Sequence, residues 1–204
     1  MLGHMMNLHR TGDRGRKRMF SERGAAAVEA AIVTPVVVAL IFGIVELGSV
    51  FKDYLAVAGA VRSGVRIASA NPRTSTFAQV AANTVAQTGG VMNFNDVQQL
   101  WVYKVALTSN KPFGYTDFSG CTVCVKFHWD TGTNAFVPIL GSDNWPSSSQ
   151  NACSASGPGG PPDRIGVYLQ LKHYAFTGFI FSSVNISDAS ILTLEPIPLL
   201  TGCQ

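Results

Sequence analysis

The sequence lacks the motifs that identify common enzyme classes. It contains no GxSxG nucleophile elbow, no Walker or GxGxxG phosphate loop and no HExxH metal site. Of its four histidines, His4 and His9 lie in a basic N-terminal segment, and we expect His128 and His173 to be partly exposed structural residues. We expect no enzymatic activity, no cofactor and no metal ion. Four aspartates show no partner spacing and are expected to be solvated: Asp117, Asp130, Asp143 and Asp163.

Charged residues are also scarce, at 13% of the 204 residues, and they are unevenly distributed. Residues 1–23 hold six basic and two acidic residues, a net charge of +4, which leaves −1 for the rest of a chain whose total is +3. The basic residues are Arg10, Arg14, Arg16, Lys17, Arg18 and Arg23. A folded part with so little positive charge is not expected to bind nucleic acid.

Charge is absent altogether from Ala30 to Val45, a run of sixteen residues. With Ala25 to Val28 in front, the run approaches the roughly 20 residues that a helix needs to cross a bilayer core. Pro35 is compatible with this, because neighbouring groups in transmembrane helices can satisfy the carbonyl that proline frees; we expect a helix kink there. The sequence predicts a membrane anchor over residues 25–48. The alternative is a buried core helix, which is usually shorter and carries a polar face.

The basic residues 1–24 indicate the orientation of this anchor. Lys and Arg close to a membrane span favour the cytoplasmic side, so we expect a cytoplasmic leader and an exported domain from residue 49 to residue 204. A cleaved secretory signal is the competing interpretation. Its apolar region would be about 7–15 residues long and end in an A-x-A-like site, and Glu46-Leu47-Gly48 offers no such site.

The junction before the anchor has a specific pattern. A basic segment ends in Arg23-Gly24, a small residue follows at Ala25, and Glu29 is the fifth residue after the glycine. This order resembles the processing site of type IV pilins and pseudopilins. The longer pattern Arg23-Gly24-x-x-x-Val28-Glu29-x-Ala31-x-x-x-Pro35, continuing to Gly43-Ile-Val-Glu46-Leu47, resembles the TadE-like family of the tight-adherence (Flp) pilus systems. The resemblance covers about residues 20–70.

The resemblance implies a role for each junction residue. A prepilin peptidase would cut after Gly24 and create an ammonium group on Ala25, one helical turn from Glu29. A carboxylate in hydrocarbon is costly and should find a partner, and in pilins this pairing sets the register of assembling subunits. The simpler alternative is a glutamate in the first turn that is favoured by the helix dipole.

The residues after the anchor predict an α+β fold. Apolar positions recur at helical spacing, which indicates one long helix from about Ser21 to Ala70, transmembrane and then amphipathic, stopped by Asn71-Pro72. A short helix follows at residues 77–88, stopped by Gly89-Gly90. Strands are predicted within residues 100–107, 122–129, 135–139, 165–172 and 190–195. We expect a mainly antiparallel sheet that packs on the exported half of the long helix, in a pilin-like arrangement.

All four cysteines follow the anchor, at Cys121, Cys124, Cys153 and Cys203. An even number in an oxidising compartment predicts two disulfides. Residues three apart in a strand lie about 10 Å from one another, too far to bridge, so Cys121 and Cys124 either lie on a turn or pair elsewhere. We favour bridges from Cys153 and Cys203 to the Cys121/Cys124 region. A redox Cys-x-x-Cys pair and a zinc site are less favoured. Residues 141–163 have the composition of a long loop.

The resemblance therefore implies a minor pseudopilin that serves the assembly of Flp pili or a related secretion apparatus. Its implied partners are a prepilin peptidase, the Flp-type pilin, other TadE/TadF-like subunits, an inner-membrane platform and the lipid bilayer. An oligomer interface along the long helix is a further possibility. Two alternatives stay open: a binding module exposed at a pilus tip, and a membrane-tethered thiol oxidoreductase.

Overall fold

A computed structural model describes residues 15–153, 160–178 and 181–197, with side chains described from Gly24 onward. The chain divides into two compact units, residues 1–45 and residues 46–204. We describe each unit by itself.

The first unit contains the beginning of helix α1, which runs from Gly15 to Ser69. The sequence predicted a helix from about residue 21 to residue 70, so its existence and its end are confirmed, while its start lies earlier, in the basic segment. The helix ends where expected because Pro72 disfavours the helical conformation of the residue before it. Asn71 also caps the end, since its side chain donates a 2.8 Å hydrogen bond to the carbonyl of Ile67. Pro35 lies inside α1.

The second unit contains the rest of α1, a second helix and one sheet. Helix α2 is Phe77–Thr88, as predicted. The strands are β1 (Val97–Lys104), β2 (Cys124–Asp130), β3 (Ala135–Pro138), β4 (Arg164–Tyr174) and β5 (Ser183–Thr193). They form one antiparallel sheet in the order β3-β2-β1-β4-β5. The predicted α+β fold is confirmed.

One face of the sheet packs against α2 and the part of α1 that follows residue 46. The alternation of a strand explains the arrangement: in β1, Leu100 and Val102 point to this core, while Trp101 and Tyr103 point to the opposite face. The helix that leads out of the apolar run therefore covers the sheet, as the sequence predicted. The buried α1 residues of this core are Ala56, Val57, Ala60, Val61, Val65 and Ala68.

Strand β5 is longer than the sequence predicted. A last strand was predicted within residues 190–195, and the strand spans Ser183–Thr193 and pairs with β4 along its whole length, from Ser183 opposite Tyr174 to Thr193 opposite Arg164. It is an edge strand and buries only Ile186 fully. Strands are recognised in a sequence by alternation of apolar and polar residues. Because β5 has one deeply buried position and several serines, an asparagine and an aspartate, its sequence shows no clear alternation.

Gly64 lies where α1 meets α2. A Cβ atom at Gly64 would lie 2.7 Å from Val85 Cγ2 and 3.3 Å from the carbonyl oxygen of Ala81, whereas a Cβ at Gly59 would meet nothing within 4 Å. We expect Gly64→Leu to lower the free energy of unfolding by about 1–3 kcal/mol relative to Gly59→Leu, because only the first change overpacks the core. Both changes add the same helix propensity. Unfolding in detergent micelles measures the difference, and equal stability of the two variants would contradict this packing.

Candidate functional site

The predicted processing junction is exposed within helix α1. Gly24, Ala25 and Glu29 are all exposed, and a Cβ atom built at Gly24 would meet nothing within 4 Å. The helix extends through the junction, since residues 15–23 are helical too. Among the described residues of the first unit, none buries Gly24 or Glu29.

The helix after the junction presents apolar side chains to the outside all around its axis. The exposed fraction reaches 68% at Ile32, 62% at Leu40 and 72% at Ile44. Among the described residues, one helix is long and apolar enough to cross a membrane, and none of its most apolar window is buried. A helix that is apolar on every side and uncovered by its own chain indicates membrane anchoring.

A cluster of buried polar groups lies in the second unit, at the start of its part of α1. Glu46 is fully buried, and its Oε2 accepts hydrogen bonds from the hydroxyl and the backbone N–H of Thr177. One turn later, the Ser49 hydroxyl donates to the carbonyl of Glu46 at 2.7 Å. A buried carboxylate needs such donors, because desolvation of an unpaired charge is costly.

The same cluster continues to Asp53 and His173. His173 is 7% exposed, and its Nδ1 lies 2.7 Å from Asp53 Oδ2, while its Nε2 lies 3.4 Å from the Ser49 hydroxyl. Lys52 approaches the other Asp53 oxygen at 3.0 Å. His173 was predicted to be partly exposed, and this was wrong because Asp53 compensates its burial. We refer to Glu46, Ser49, Asp53, His173 and Thr177 as the polar cluster.

The polar cluster has the residue types of a hydrolase triad but not its chemistry. A nucleophilic serine gives its proton to the histidine and needs backbone donors for an oxyanion. The hydroxyl of Ser49 instead donates to the Glu46 carbonyl, and Ser49 lies inside α1, where backbone N–H groups bond to the preceding turn. What the cluster does is hold the end of β4 and the following turn against α1.

The comparison with known families applies to the N-terminal part of the chain. The family model of TadE-like proteins matches residues 24–66. This segment is TadE-like. The match begins at Gly24, the glycine at which processing was predicted, and includes the apolar run together with Glu46, Ser49 and Asp53, so the predicted resemblance is confirmed over these residues. TadE-like proteins are a pilus-associated structural family. No curated protein and no solved structure matches the chain.

The TadE-like segment supplies three of the five residues of the polar cluster. His173 and Thr177 lie outside the matched residues, and sequence reasoning missed their pairing with α1. A signal was present in the helix: positions 46, 49 and 53 follow the i, i+3, i+7 spacing of one helix face. A polar face that interrupts the apolar residues directly after a membrane span needs partners, although the spacing does not identify them.

The cysteines pair differently from the prediction. Cys121 is bonded to Cys124, with 6.0 Å between their Cα atoms, so the predicted bridges from Cys153 and Cys203 to this region are wrong. The distance argument assumed a continuous strand, but β2 begins only at Cys124 and Cys121 lies in the bend before it. Cys153 is disulfide-bonded as well, and Cys203 lies outside the described residues. The pair leads into a strand, so it lacks the helix N-terminus that makes a cysteine reactive.

An aromatic cluster surrounds this disulfide on the outer face of the sheet. The Phe118 ring stacks on Tyr168 at 4.0 Å between centroids, and Trp101 lies 5.5 Å from Tyr168. Burial raises the pKa of both Tyr103 and Tyr168 above the ordinary tyrosine value. Tyr103 lies against Gly166, where a Cβ atom would come within 2.3 Å of the ring. The disulfide is thus part of a packed structural cluster.

The remaining predicted carboxylates fall into two groups. Asp117 is in a loop and Asp130 is the last residue of β2, and hydrogen bonds lower the pKa of each: from Ser119 to Asp117, and from Thr133 and the Gly132 N–H to Asp130. Asp163, expected to be solvated, is instead 9% exposed and lies 2.8 Å from the ammonium of Lys104. Within the described residues, no group of three histidine, cysteine or acidic side chains is placed to hold a metal ion.

Proposed function

We propose that this protein is a membrane-anchored minor pseudopilin that serves assembly of a Flp-type, tight-adherence pilus or a related secretion apparatus. The match to TadE-like proteins begins at Gly24, the residue at which processing was predicted, and this single observation carries the proposal. The uncovered apolar helix that follows supports the anchoring part. In this proposal residues 1–24 are the cytoplasmic leader, residues 25–48 cross the inner membrane and residues 49–204 are exported.

Processing would give Glu29 its partner. Cleavage after Gly24 leaves a free ammonium on Ala25, and side chains three to four positions apart on a helix are neighbours. The exposure of Glu29 also leaves its carboxylate open to the ammonium of a neighbouring subunit. In hydrocarbon an unpaired carboxylate costs about 2.5–3.5 kcal/mol on insertion scales, so this pairing would favour one register between packed subunits. The pilin, other TadE/TadF-like subunits and the inner-membrane platform are the proposed partners.

Some small residues of α1 are packed inside the second unit, and others are exposed. Ala56, Ala60 and Gly64 pack inside the second unit and are not free for an oligomer contact. Ala27 and Ala31 are exposed in the first unit, and Gly59 is exposed in the second. Close approach of a neighbouring helix would therefore use the earlier residues.

Substitution of Gly24 tests the proposed processing. We expect Gly24→Leu to remain uncut, so that the intact mass includes residues 1–24, while the wild-type chain and Gly59→Leu lose them. Both glycines have open space around a new Cβ atom, so neither change should disturb the helix, and a difference between them reports recognition by the peptidase. Intact-mass spectrometry of membrane fractions from cells with the prepilin peptidase measures it. A wild-type chain that keeps its leader there would refute the proposal.

A further inference from the structure

The chain between β4 and β5 contacts Glu46, the first residue of the second unit. We call its described residues, 175–178 and 181–182, the hairpin tip. Its Thr177 donates hydrogen bonds to Glu46 through both its hydroxyl and its backbone N–H. Glu46 directly follows Val45, the last residue of the uncharged run. The hairpin tip therefore contacts α1 at the residue that directly follows the uncharged run in sequence.

The direction of the hairpin follows from two contacts. His173, near the end of β4, contacts Asp53, and four residues later Thr177 contacts Glu46. Seven residues of helix rise by about 10 Å. As the chain leaves β4 it therefore advances along α1 from Asp53 to Glu46, the N-terminal end of the second unit's part of the helix. The polar cluster fixes this direction with buried hydrogen bonds.

The composition of the hairpin tip suits a membrane surface. Between Lys172 and Asp188 the sequence has no Asp, Glu, Lys or Arg. Phe176 is 82% exposed and Tyr174 is 55% exposed, so these rings are not used in the core. The Lys172 ammonium lies 5.1 Å from the Tyr174 ring centroid, which places a positive charge beside them. Aromatic rings with a flanking lysine are typical of the headgroup region of bilayers.

A second turn at the same end of the sheet provides an internal comparison. Both β2 and β4 pair antiparallel with β1, so the turns that follow them lie at the same end. The β2–β3 turn, Thr131 to Asn134, is polar and exposed, and Asp130 accepts hydrogen bonds from its Gly132 N–H and Thr133 hydroxyl. Of these two turns, only the one beside Glu46 is apolar. An apolar turn is therefore not a general feature of this end of the sheet.

We propose that the hairpin tip is a second membrane contact, with Phe176 and Tyr174 in the boundary between lipid headgroups and acyl chains. The occupant of this surface is the phospholipid bilayer. The inference rests on the proposed function only in that the anchor crosses the same membrane. The contact would fix the tilt and rotation of the sheet domain at the bilayer, which a single helix leaves free, and so present one defined face to partner subunits.

Tryptophan fluorescence in vesicles tests the proposal on the full chain. Phe176→Trp, Leu107→Trp and Leu40→Trp are each compared with the wild-type chain, whose own tryptophans are Trp101, Trp129 and Trp145. Leu107 is the matched control, because it is 77% exposed and follows β1 at the opposite end of the sheet. Leu40 reports the anchor. The vesicles contain phosphatidylethanolamine and phosphatidylglycerol with acyl chains brominated at shallow or deep carbons.

We expect shallow bromine atoms to quench the added emission of Phe176→Trp at least about twofold more than that of Leu107→Trp, because interfacial groups lie roughly 5–10 Å into the headgroup region. Leu40→Trp should be quenched most by deep bromine atoms. Equal quenching at positions 176 and 107, with Leu40→Trp quenched, would overturn the hairpin contact and leave the anchor intact. A residue 176 shielded from both bromolipid and aqueous iodide would also overturn it, because a second protein copy would then cover the tip.

The two proposals fail in distinguishable ways. Lack of quenching at position 40 would contradict the anchor, whatever position 176 does. Quenching at position 176 without quenching at position 40 would support the hairpin contact and refute the proposed transmembrane function. Lack of quenching at both positions would overturn both.

Discussion

Replacement of Trp145 by alanine is expected to lower the free energy of unfolding of the sheet domain by about 3–5 kcal/mol. Trp145 is 1% exposed, although it lies in a long loop rich in serine and proline. Its ring meets Phe77 of α2 edge to face, with 5.4 Å between centroids. Truncation leaves a cavity between α2 and the sheet, and rigid elements on both sides prevent it from collapsing.

Trp145→Phe separates packing from other contributions. The indole N–H of Trp145 has no hydrogen-bond partner among the described atoms, so phenylalanine removes no hydrogen bond and keeps an aromatic ring. We expect a loss below about 1.5 kcal/mol, in the range of conservative core changes. In thermal unfolding the alanine variant should melt roughly 6–20 °C below the wild-type chain, at 2–4 °C per kcal/mol. If the alanine variant instead melts close to the phenylalanine variant and to the wild-type chain, the loop contributes little to the stability of the core.

The Trp145 loop illustrates a limit of sequence reasoning. Composition predicted a loop at residues 141–163, but loops have no periodicity from which burial can be read. Trp145 and Ala152 belong to the main core nevertheless. The Asp163 N–H donates to the Asn151 carbonyl at 2.7 Å, and the Asn151 N–H donates to the Asp163 carboxylate at 3.0 Å, so these two residues close the base of the loop. The two residues are far apart in the sequence, and no periodic pattern in the sequence indicates that they are in contact.

Elements with two different faces could be predicted. Alternation in β2 and β4 identified those strands, because each has one face against the helices and another toward a different environment. The apolar run and the junction at Gly24 identified the TadE-like segment. A membrane requires a span of a certain length with positive charges at its cytoplasmic end, and both features can be read from a sequence. Edge strand β5 and the partners of α1 follow no such rule, and only the structure shows them.

The second large effect is expected at Asp53. Asp53→Ala should lower the free energy of unfolding by about 3–5 kcal/mol, because removal of one partner from a buried pair that contains a carboxylate is strongly destabilising. The carboxylate lies 2.7 Å from Nδ1 of the buried His173, and the truncated variant leaves that nitrogen without its partner in a site that excludes water. Lys52→Ala is the matched control. Its ammonium is 3.0 Å from the same carboxylate, but the Lys52 side chain is 56% exposed, so we expect at most about 1 kcal/mol.

A double variant identifies the origin of the Asp53 effect. Asp53→Leu combined with His173→Leu removes both buried polar groups, and replacement of a buried pair by apolar residues is often neutral or stabilising. We therefore expect the double variant to be more stable than either single change, as measured by denaturant unfolding in micelles. Hydrogen exchange at β4 and β5 should then show the hairpin closed in the double variant and opened in Asp53→Ala. If the double variant is as unstable as Asp53→Ala, specific hydrogen bonds rather than apolar burial hold the hairpin on α1. In the proposed membrane contact, the polar cluster would then determine where the hairpin tip meets the bilayer.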